Sequence, residues 1–290
     1  MMPEISASKV AGFIGLHKFQ NTNEMYYELL RKSKEGLLKI QKIEEDYHRR
    51  SFNSVLNEVL KDQPIQDCIS SAIKELQSTT EVSRVLSEVE AQASLILDLR
   101  RDNFTPQLRN QLACEIRGRV TKRRGIENEE KILNDYETAR EVKVQDRNTK
   151  ILRKDYGIFK LVGKIDGFVV SENRIVDSKE RTRFWPNVPL YDEIQLRCYM
   201  DMTGATESEL IERFPDGQTR HTKFLNDPEK WSSIQTAIER GVEILNNALD
   251  NPEELKRIVF ANTICTQANG GKNTRITAPR VDKQEAVIDL

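Results

Sequence analysis

The apolar positions along this chain change their period partway through. Up to about residue 115 they recur every three or four residues, the spacing of helices with one buried face. Ser6 to Leu16 predicts a helix capped by Ser6 or Ser8, with Val10, Phe13, Ile14 and Leu16 on its apolar side. Asn21-Thr22-Asn23 is a second cap signal, and Glu24 to about Glu45 follows with Met25, Leu29, Leu37 and Ile40 at mixed helical spacings. Between about 50 and 115, one stripe holds Val55, Leu56, Val59 and Leu60, and a second holds Ile69, Ile73 and Leu76. A third runs from Val82 to Leu99, with Pro64 and Thr79-Thr80 as punctuation. This stretch predicts a lobe of helices packed on one another for stability.

The pattern shifts near Gly125. A helix from Ile126 to Thr138 leads into short β-rich runs: Glu141 to Val144, Gly157 to Val162, Ile165 to Val170 and Arg174 to Asp177. A helix from about Tyr191 to Thr203 comes next. Leu210 to Phe214 and Thr219 to Phe224, joined by Pro215-Asp216-Gly217, predict a β-hairpin. Asn226 to Glu229 caps a long last helix with Trp231, Ile234, Ile238, Val242 and Leu245 on one face. After Phe260 the chain turns polar and loses periodicity, which predicts a flexible or partner-dependent tail. No internal repeat is visible.

Composition narrows the class of protein. The 290 residues are 38% hydrophobic and 31% charged, enough for a core beneath a heavily charged surface. The net charge is -1, so any nucleic-acid footprint must come from local clusters of Lys and Arg. No apolar run is long enough to span a membrane, and the N-terminus lacks the pattern of a secretory signal. Cys68, Cys114, Cys198 and Cys265 are scattered, without CxxC or disulfide spacing, so a reducing, intracellular location is expected. His17, His48 and His221 show no zinc-ligand spacing and are expected to be structural or surface residues. No G-x-x-x-x-G-K-[ST] loop is present, so no ATP use is expected.

The candidate chemistry lies between Gly163 and Met200. Two β-rich segments each deliver one acid, Asp166 in KIDGF and Asp177 in IVDSK. In a strand, residues two apart share a face, so Asp177 and Lys179 project together and Ser178 faces away. Gly163 and Gly167 flank Asp166 and leave room for another group, a phosphate included, to approach the backbone. Gln195 and Tyr199, one helical turn apart, share a face of the following helix. Two carboxylates and a lysine at one sheet edge suit hydrolysis of a phosphodiester assisted by Mg²⁺, with Mn²⁺ able to substitute. Lys179 would orient the attacking water, help deprotonate it, or offset phosphate charge. Taken singly, these are ordinary strand-end acids, a surface lysine and a packing helix; the combination is the signal.

That combination resembles the PD-(D/E)xK nuclease superfamily, and within it the YqaJ-type phage and viral nucleases related to lambda exonuclease. The opening ISASKVAGFIGL and the run GIENEEKILNDYE, with Gly125, Glu129 and Tyr136, are similar to that family. DSKERTRFWPNVPLYDEIQLRCYMDMTG looks like nucleases of large DNA viruses of eukaryotes. The resemblance covers Ser6 to Leu30 and about Gly125 to Leu249, and 32–115 has no counterpart in it. It implies a restriction-endonuclease-like α/β core, a mixed sheet flanked by helices, with an added N-terminal helical lobe. The expected division is 1–31 as part of the core, 32–115 as lobe or insertion, 116–260 as core and 261–290 as tail. It further implies Asp166, Asp177, the Ser178 carbonyl and Glu129 as metal ligands, with Glu127 and Glu130 as neighbouring alternatives to Glu129. Gln195 and Tyr199 would position substrate or lysine.

DNA contacts are expected from Arg181 and Arg183. Arg117, Arg119, Lys122, Arg123 and Arg124 would line a DNA channel or form a solvated face balancing nearby acids. Phe184 and Trp185 would stack on a base or lie buried under the loop Pro186 to Pro189. Some relatives hold an iron–sulfur cluster on four cysteines, three of them clustered late; only Cys265 is late here, and no cluster is expected.

Three functions fit. An exonuclease on double-stranded DNA with an end, acting in viral recombination, repair or replication, is favoured by the resemblance. It would work in host cytoplasm or nucleus, with a single-strand annealing or replication protein as candidate partner. An endonuclease of the same fold and a non-catalytic DNA-binding scaffold are the alternatives. A ring-shaped homo-oligomer would speak for the first, and a monomer or two-fold dimer for the second.

Overall fold

The computed structural model describes residues 1–100 and 104–265. The N-terminal segment opens with a strand, β1 (Glu4–Ser6), a 3-10 turn and a short helix, α1 (Val10–Phe13). The expected helix over Ser6 to Leu16 is thus reduced, because Glu4 to Ser6 pair in parallel with a later strand. The expected helix from Glu24 to Glu45 is two: α2 (Thr22–Lys32) and α3 (Lys34–Asp46). Ser33 divides them: it is extended, and its hydroxyl accepts from Gly36 N at 3.0 Å as the cap of α3.

A short strand, β2 (Arg49–Ser51), precedes α4 (Phe52–Val59), α5 (Gln63–Leu76) and α6 (Val82–Leu99). These helices bury the three apolar stripes against one another and against α7 (Pro106–Arg140), forming a separate helical core. Thr105 caps α7, its hydroxyl accepting from Leu108 N at 3.2 Å. The helix is 35 residues long and serves two cores. Leu108 to Val120 belong to the lobe, and Ile132, Leu133 and Tyr136 cover the sheet. The boundary expected at 115/116 therefore falls inside one continuous helix.

Beyond α7 the run Glu141 to Val144, expected as a strand, is irregular; only a bridge from Gln145 to Phe168 forms. A hairpin follows, β3 (Ile151–Asp155) with β4 (Lys160–Lys164), and β1 joins the other edge of β4 to make the order β1-β4-β3. The principal sheet has the order β5-β6-β7-β8: β5 (Gly167–Val169), β6 (Arg174–Glu180), β7 (Glu207–Arg213) and β8 (Thr219–Leu225). β6 and β7 are parallel and the outer pairs antiparallel, so the sheet is mixed. The parallel pair is joined by α8 (Leu190–Thr203), and β7 and β8 form the expected hairpin. α9 (Pro228–Asp250) and α10 (Pro252–Asn262) complete the main core with α1, α2 and α8. This is a mixed α/β architecture, a mixed sheet flanked by helices, with a helical lobe appended.

The expected polar tail from 261 begins with ordered chain: Ala261 and Asn262 end α10, and β9 (Thr263–Cys265) pairs antiparallel with β2. Ile264 enters the core of the helical lobe. The rest of the tail lies outside the described residues. Among the described residues no helix is long and apolar enough to cross a membrane.

Candidate active site

The register of β5 against β6 sets the position of the two acids. Gly167 pairs with Val176, so Asp166, one step before β5, faces Asp177 where the ladder ends. Gly167 has no room for a side chain, since a Cβ there would meet Val144 Cγ1 at 2.1 Å. The close approach expected at this glycine is thus made by protein packing.

Asp177 is buried, its side chain 2% exposed, and its Oδ2 lies 2.6 Å from Lys179 Nζ. The shared strand face inferred from i, i+2 spacing is therefore realised as an ion pair. Ser178, expected to face away, instead holds the other acid. Its backbone N–H donates to Asp166 Oδ2 at 2.8 Å, and its hydroxyl lies 3.2 Å from the same oxygen. Gln195 Nε2 donates to Asp177 Oδ1 at 3.3 Å and to the Tyr199 hydroxyl at 3.2 Å. Tyr199 donates onward to the Lys164 carbonyl at 2.9 Å. Glu129, in the C-terminal half of α7, accepts from Asn148 Nδ2 and adds its charge to the field at Asp166.

Electrostatics tie these groups together. Burial, and then the charge of Asp166, push the Asp177 carboxyl up to about 7. Burial also raises Asp166, with Glu129 adding to the rise and Lys179 opposing it. For Lys179, burial disfavours the charge, but Asp177, Asp166 and Asp192 outweigh it and hold the ammonium well above its ordinary value. At neutral pH it is a cation, so of the three roles expected for Lys179 the geometry favours orienting and charge-offsetting over proton removal.

These residues suit a hard divalent cation in one specific sense. A buried and a half-buried carboxylate that repel each other are relieved by positive charge, and oxygen donors match Mg²⁺, which is commonly held by one or two carboxylates plus water. Among the described residues no group of three or more His, Cys, Asp or Glu is arranged to hold a metal. The third carboxylate, Glu129, is engaged by Asn148, and Lys179 already occupies Asp177 Oδ2.

The basic residues separate into two sets. Arg181, expected at the phosphates, is buried: its Nε donates to Glu212 Oε1 at 2.8 Å and its Nη2 to Asp192 Oδ2 at 2.7 Å. Arg124 is likewise buried and paired with Glu180. Both guanidinium groups are taken up by buried carboxylates, Glu180 for Arg124 and Asp192 and Glu212 for Arg181. Arg117 pairs with Glu90 and Arg123 with Glu127 on the surface. Arg119, Lys122 and Arg183 are exposed. Phe184 is 64% exposed and packs on Phe214, whereas Trp185 is half-buried. Asp192 and Asn148 were not singled out in the sequence. Asp192 sits in the first turn of α8 beside the residues that were, and only the packing of α8 on the loop after β6 makes it the partner of Arg181.

No protein-family model matches the chain, and no curated protein matches it. Solved structures do. An alkaline exonuclease, LHK-Exo, from Laribacter hongkongensis aligns at 16% identity and TM-score 0.39, covering 45% of this chain and 71% of that one. The same exonuclease in complex with dAMP aligns at TM-score 0.37 and 16% identity over 45% of this chain and 70% of that one. A phage-related exonuclease from Haemophilus somnus 129PT aligns at TM-score 0.35 and 16% identity, again covering 45% of this chain and 70% of that one.

Proposed function

We propose that this chain is a metal-dependent deoxyribonuclease that degrades double-stranded DNA from an end, in recombination, repair or replication of viral DNA. The observation that carries the reading is the cluster of buried Asp177 with half-buried Asp166 and Lys179 where β5 and β6 part, steadied by Gln195 and Tyr199.

Asp166 and Asp177 would hold Mg²⁺ or Mn²⁺, together with the Ser178 carbonyl and, directly or through water, Glu129. When bound, such an ion supplies Lewis acidity to a phosphate oxygen and lowers the pKa of its water. The chain's own residues do the rest. Lys179, held as a cation, offsets the charge that builds on the phosphate and orients the attacking water. Gln195 fixes the rotation of the Asp177 carboxylate, and Tyr199 fixes Gln195. Ser178 fixes Asp166. Arg183, Arg119 and Lys122 are available for backbone phosphates.

The test is Mg²⁺-dependent hydrolysis of linear and covalently closed circular duplex DNA in parallel. Degradation of the linear form alone is expected. Cutting of circles would replace the exonuclease reading by an endonuclease, and inertness toward both would overturn the reading.

A further inference from the structure

We propose that Phe19 and Trp185 form a stacking platform for unpaired nucleotides at the end of the DNA strand, with Lys18 and Arg183 meeting their phosphates. The inference rests on the nuclease reading above and adds a subsite to it.

The platform is built from two loops that meet at Phe19 and Trp185. After α1, His17 Nδ1 accepts from the backbone N–H of Phe19 at 3.1 Å and of Gln20 at 3.0 Å, which tightens the turn. The His17 ring stacks on Tyr191 of α8, centroids 4.2 Å apart and planes within 25°. This turn leaves the Phe19 ring 62% exposed, forgoing the burial of a large aromatic, worth about 2 kcal/mol. The second loop follows β6. Trp185 meets Phe19 edge to face at 6.2 Å, and its carbonyl accepts from Arg220 Nη1 at 2.7 Å, so the loop is anchored to β8. Two rings of fixed orientation on anchored turns match what a nucleobase needs from a stacking surface.

The charges identify the occupant. Lys18 Nζ lies 5.8 Å from the Phe19 centroid and 6.0 Å from that of Trp185, and Arg183 Cζ lies 4.5 Å from the Trp185 centroid. Among the described residues neither cation has a carboxylate partner. The exposed Phe19 ring, beside a Trp185 ring that Arg183 overlies, together with two cations that lack a carboxylate partner, complements an unpaired nucleotide, which brings a flat apolar base and an anionic phosphate together. The site is tied to the acids along the chain: Tyr191, stacked on His17, lies in the first turn of the helix that carries Gln195, and Trp185 is on the loop that follows the strand of Asp177 and Lys179.

The chain has two tryptophans, so Trp231→Phe leaves Trp185 as the only one. This variant is titrated in EDTA with duplexes bearing single-stranded overhangs and with a blunt duplex, and emission is followed. Overhangs are expected to quench Trp185 saturably, and Phe19→Ala to weaken overhang binding about 10-fold, in line with one lost stacking contact. Absence of quenching, or overhang binding that Phe19→Ala leaves unchanged, overturns the platform. So does Phe19→Ala abolishing self-association in sedimentation without affecting DNA, which would assign the face to a second copy of the chain. Hydrolysis of linear duplex with Mg²⁺ is measured separately. A protein that hydrolyses DNA but shows no quenching loses only the platform, whereas quenching without hydrolysis removes the nuclease reading and keeps the subsite.

Discussion

The ring of Tyr199 fills the space that a side chain at Gly163 would need: a Cβ on Gly163 would come within 2.4 Å of Tyr199 Cε1. Tyr199 crosses β4 at this point, bonds the Lys164 carbonyl and supports Gln195, which reaches Asp177. A missing methyl group on one strand thus sets the placement of a carboxylate on another. Gly163→Ala is expected to displace the ring and lower nuclease turnover by up to about 100-fold, the cost of small misplacements in an active site. Steady-state rates with circular dichroism check this. Unchanged turnover in a folded variant would separate Tyr199 from the site.

Asp177→Asn keeps the shape of the side chain and removes its charge, and Lys179→Ala removes the cation beside it. Each is expected to reduce nucleotide release by at least about 100-fold, the scale on which charge-stabilising groups act. Urea unfolding monitors the fold. If both variants fail to fold, the assignment of these residues to chemistry rather than stability is wrong.

Metal binding has a readout besides activity. A ligand at 100 times its Kd stabilises the folded state by about 2.7 kcal/mol. Mg²⁺ is therefore expected to raise the melting temperature of the wild type and to leave that of Asp177→Asn unchanged. Equal shifts in both would place the ion elsewhere.

A second buried acid sets a pH dependence away from the site. Glu209 receives Arg174 Nη1 and the Tyr136 hydroxyl, each at 2.8 Å, and Arg140 Nη2 at 3.2 Å. Burial opposes its charge, but His221, Tyr136, Arg140 and Arg174 outweigh it and bring the carboxyl from 4.5 down to about 2. A depressed carboxyl contributes stability that is present above its ordinary pKa and is lost as pH falls toward its folded value. The shift corresponds to about 3 kcal/mol. Glu209→Gln is expected to be less stable than wild type by that order at pH 7, with the gap closing toward pH 2. Urea midpoints across that range decide; a constant gap would contradict the charge-based origin.

Arg181 and Arg183 are two residues apart and differ in burial and partners. Arg181→Ala leaves Asp192 buried without its cation and Glu212 with Arg220 alone, and is expected to cost about 3 kcal/mol or more. Arg183→Ala is expected to leave stability unchanged, weaken DNA binding and lower the slope of log K against log salt by about 1. Denaturation paired with salt-dependent binding tells them apart. A stability loss at Arg183 would argue against its role at phosphates.

Local rules made some of the site legible in sequence. The pairing of Asp177 with Lys179 follows from strand alternation, and that of Gln195 with Tyr199 from one helical turn. What escaped depends on distant packing. β3 does not show in the sequence because its inward positions hold Leu152 and the polar Lys154 while the apolar Ile151 faces out, so burial alternates but hydropathy does not. α7 reads as two segments because its halves bury different faces in different cores. The burial of Arg181 and Arg124 is set by neighbours 31 and 56 residues away, beyond any local pattern. Gly167 is a point of close approach, and the group that approaches there is Val144.

The most direct measurement follows nucleotide release from linear duplex DNA by wild type and Asp177→Asn, each with Mg²⁺ and with EDTA. Release by wild type with Mg²⁺, and in none of the other three conditions, is the expected result. Release that persists in EDTA, or in Asp177→Asn with Mg²⁺, would contradict a metal-dependent nuclease centred on Asp166, Asp177 and Lys179.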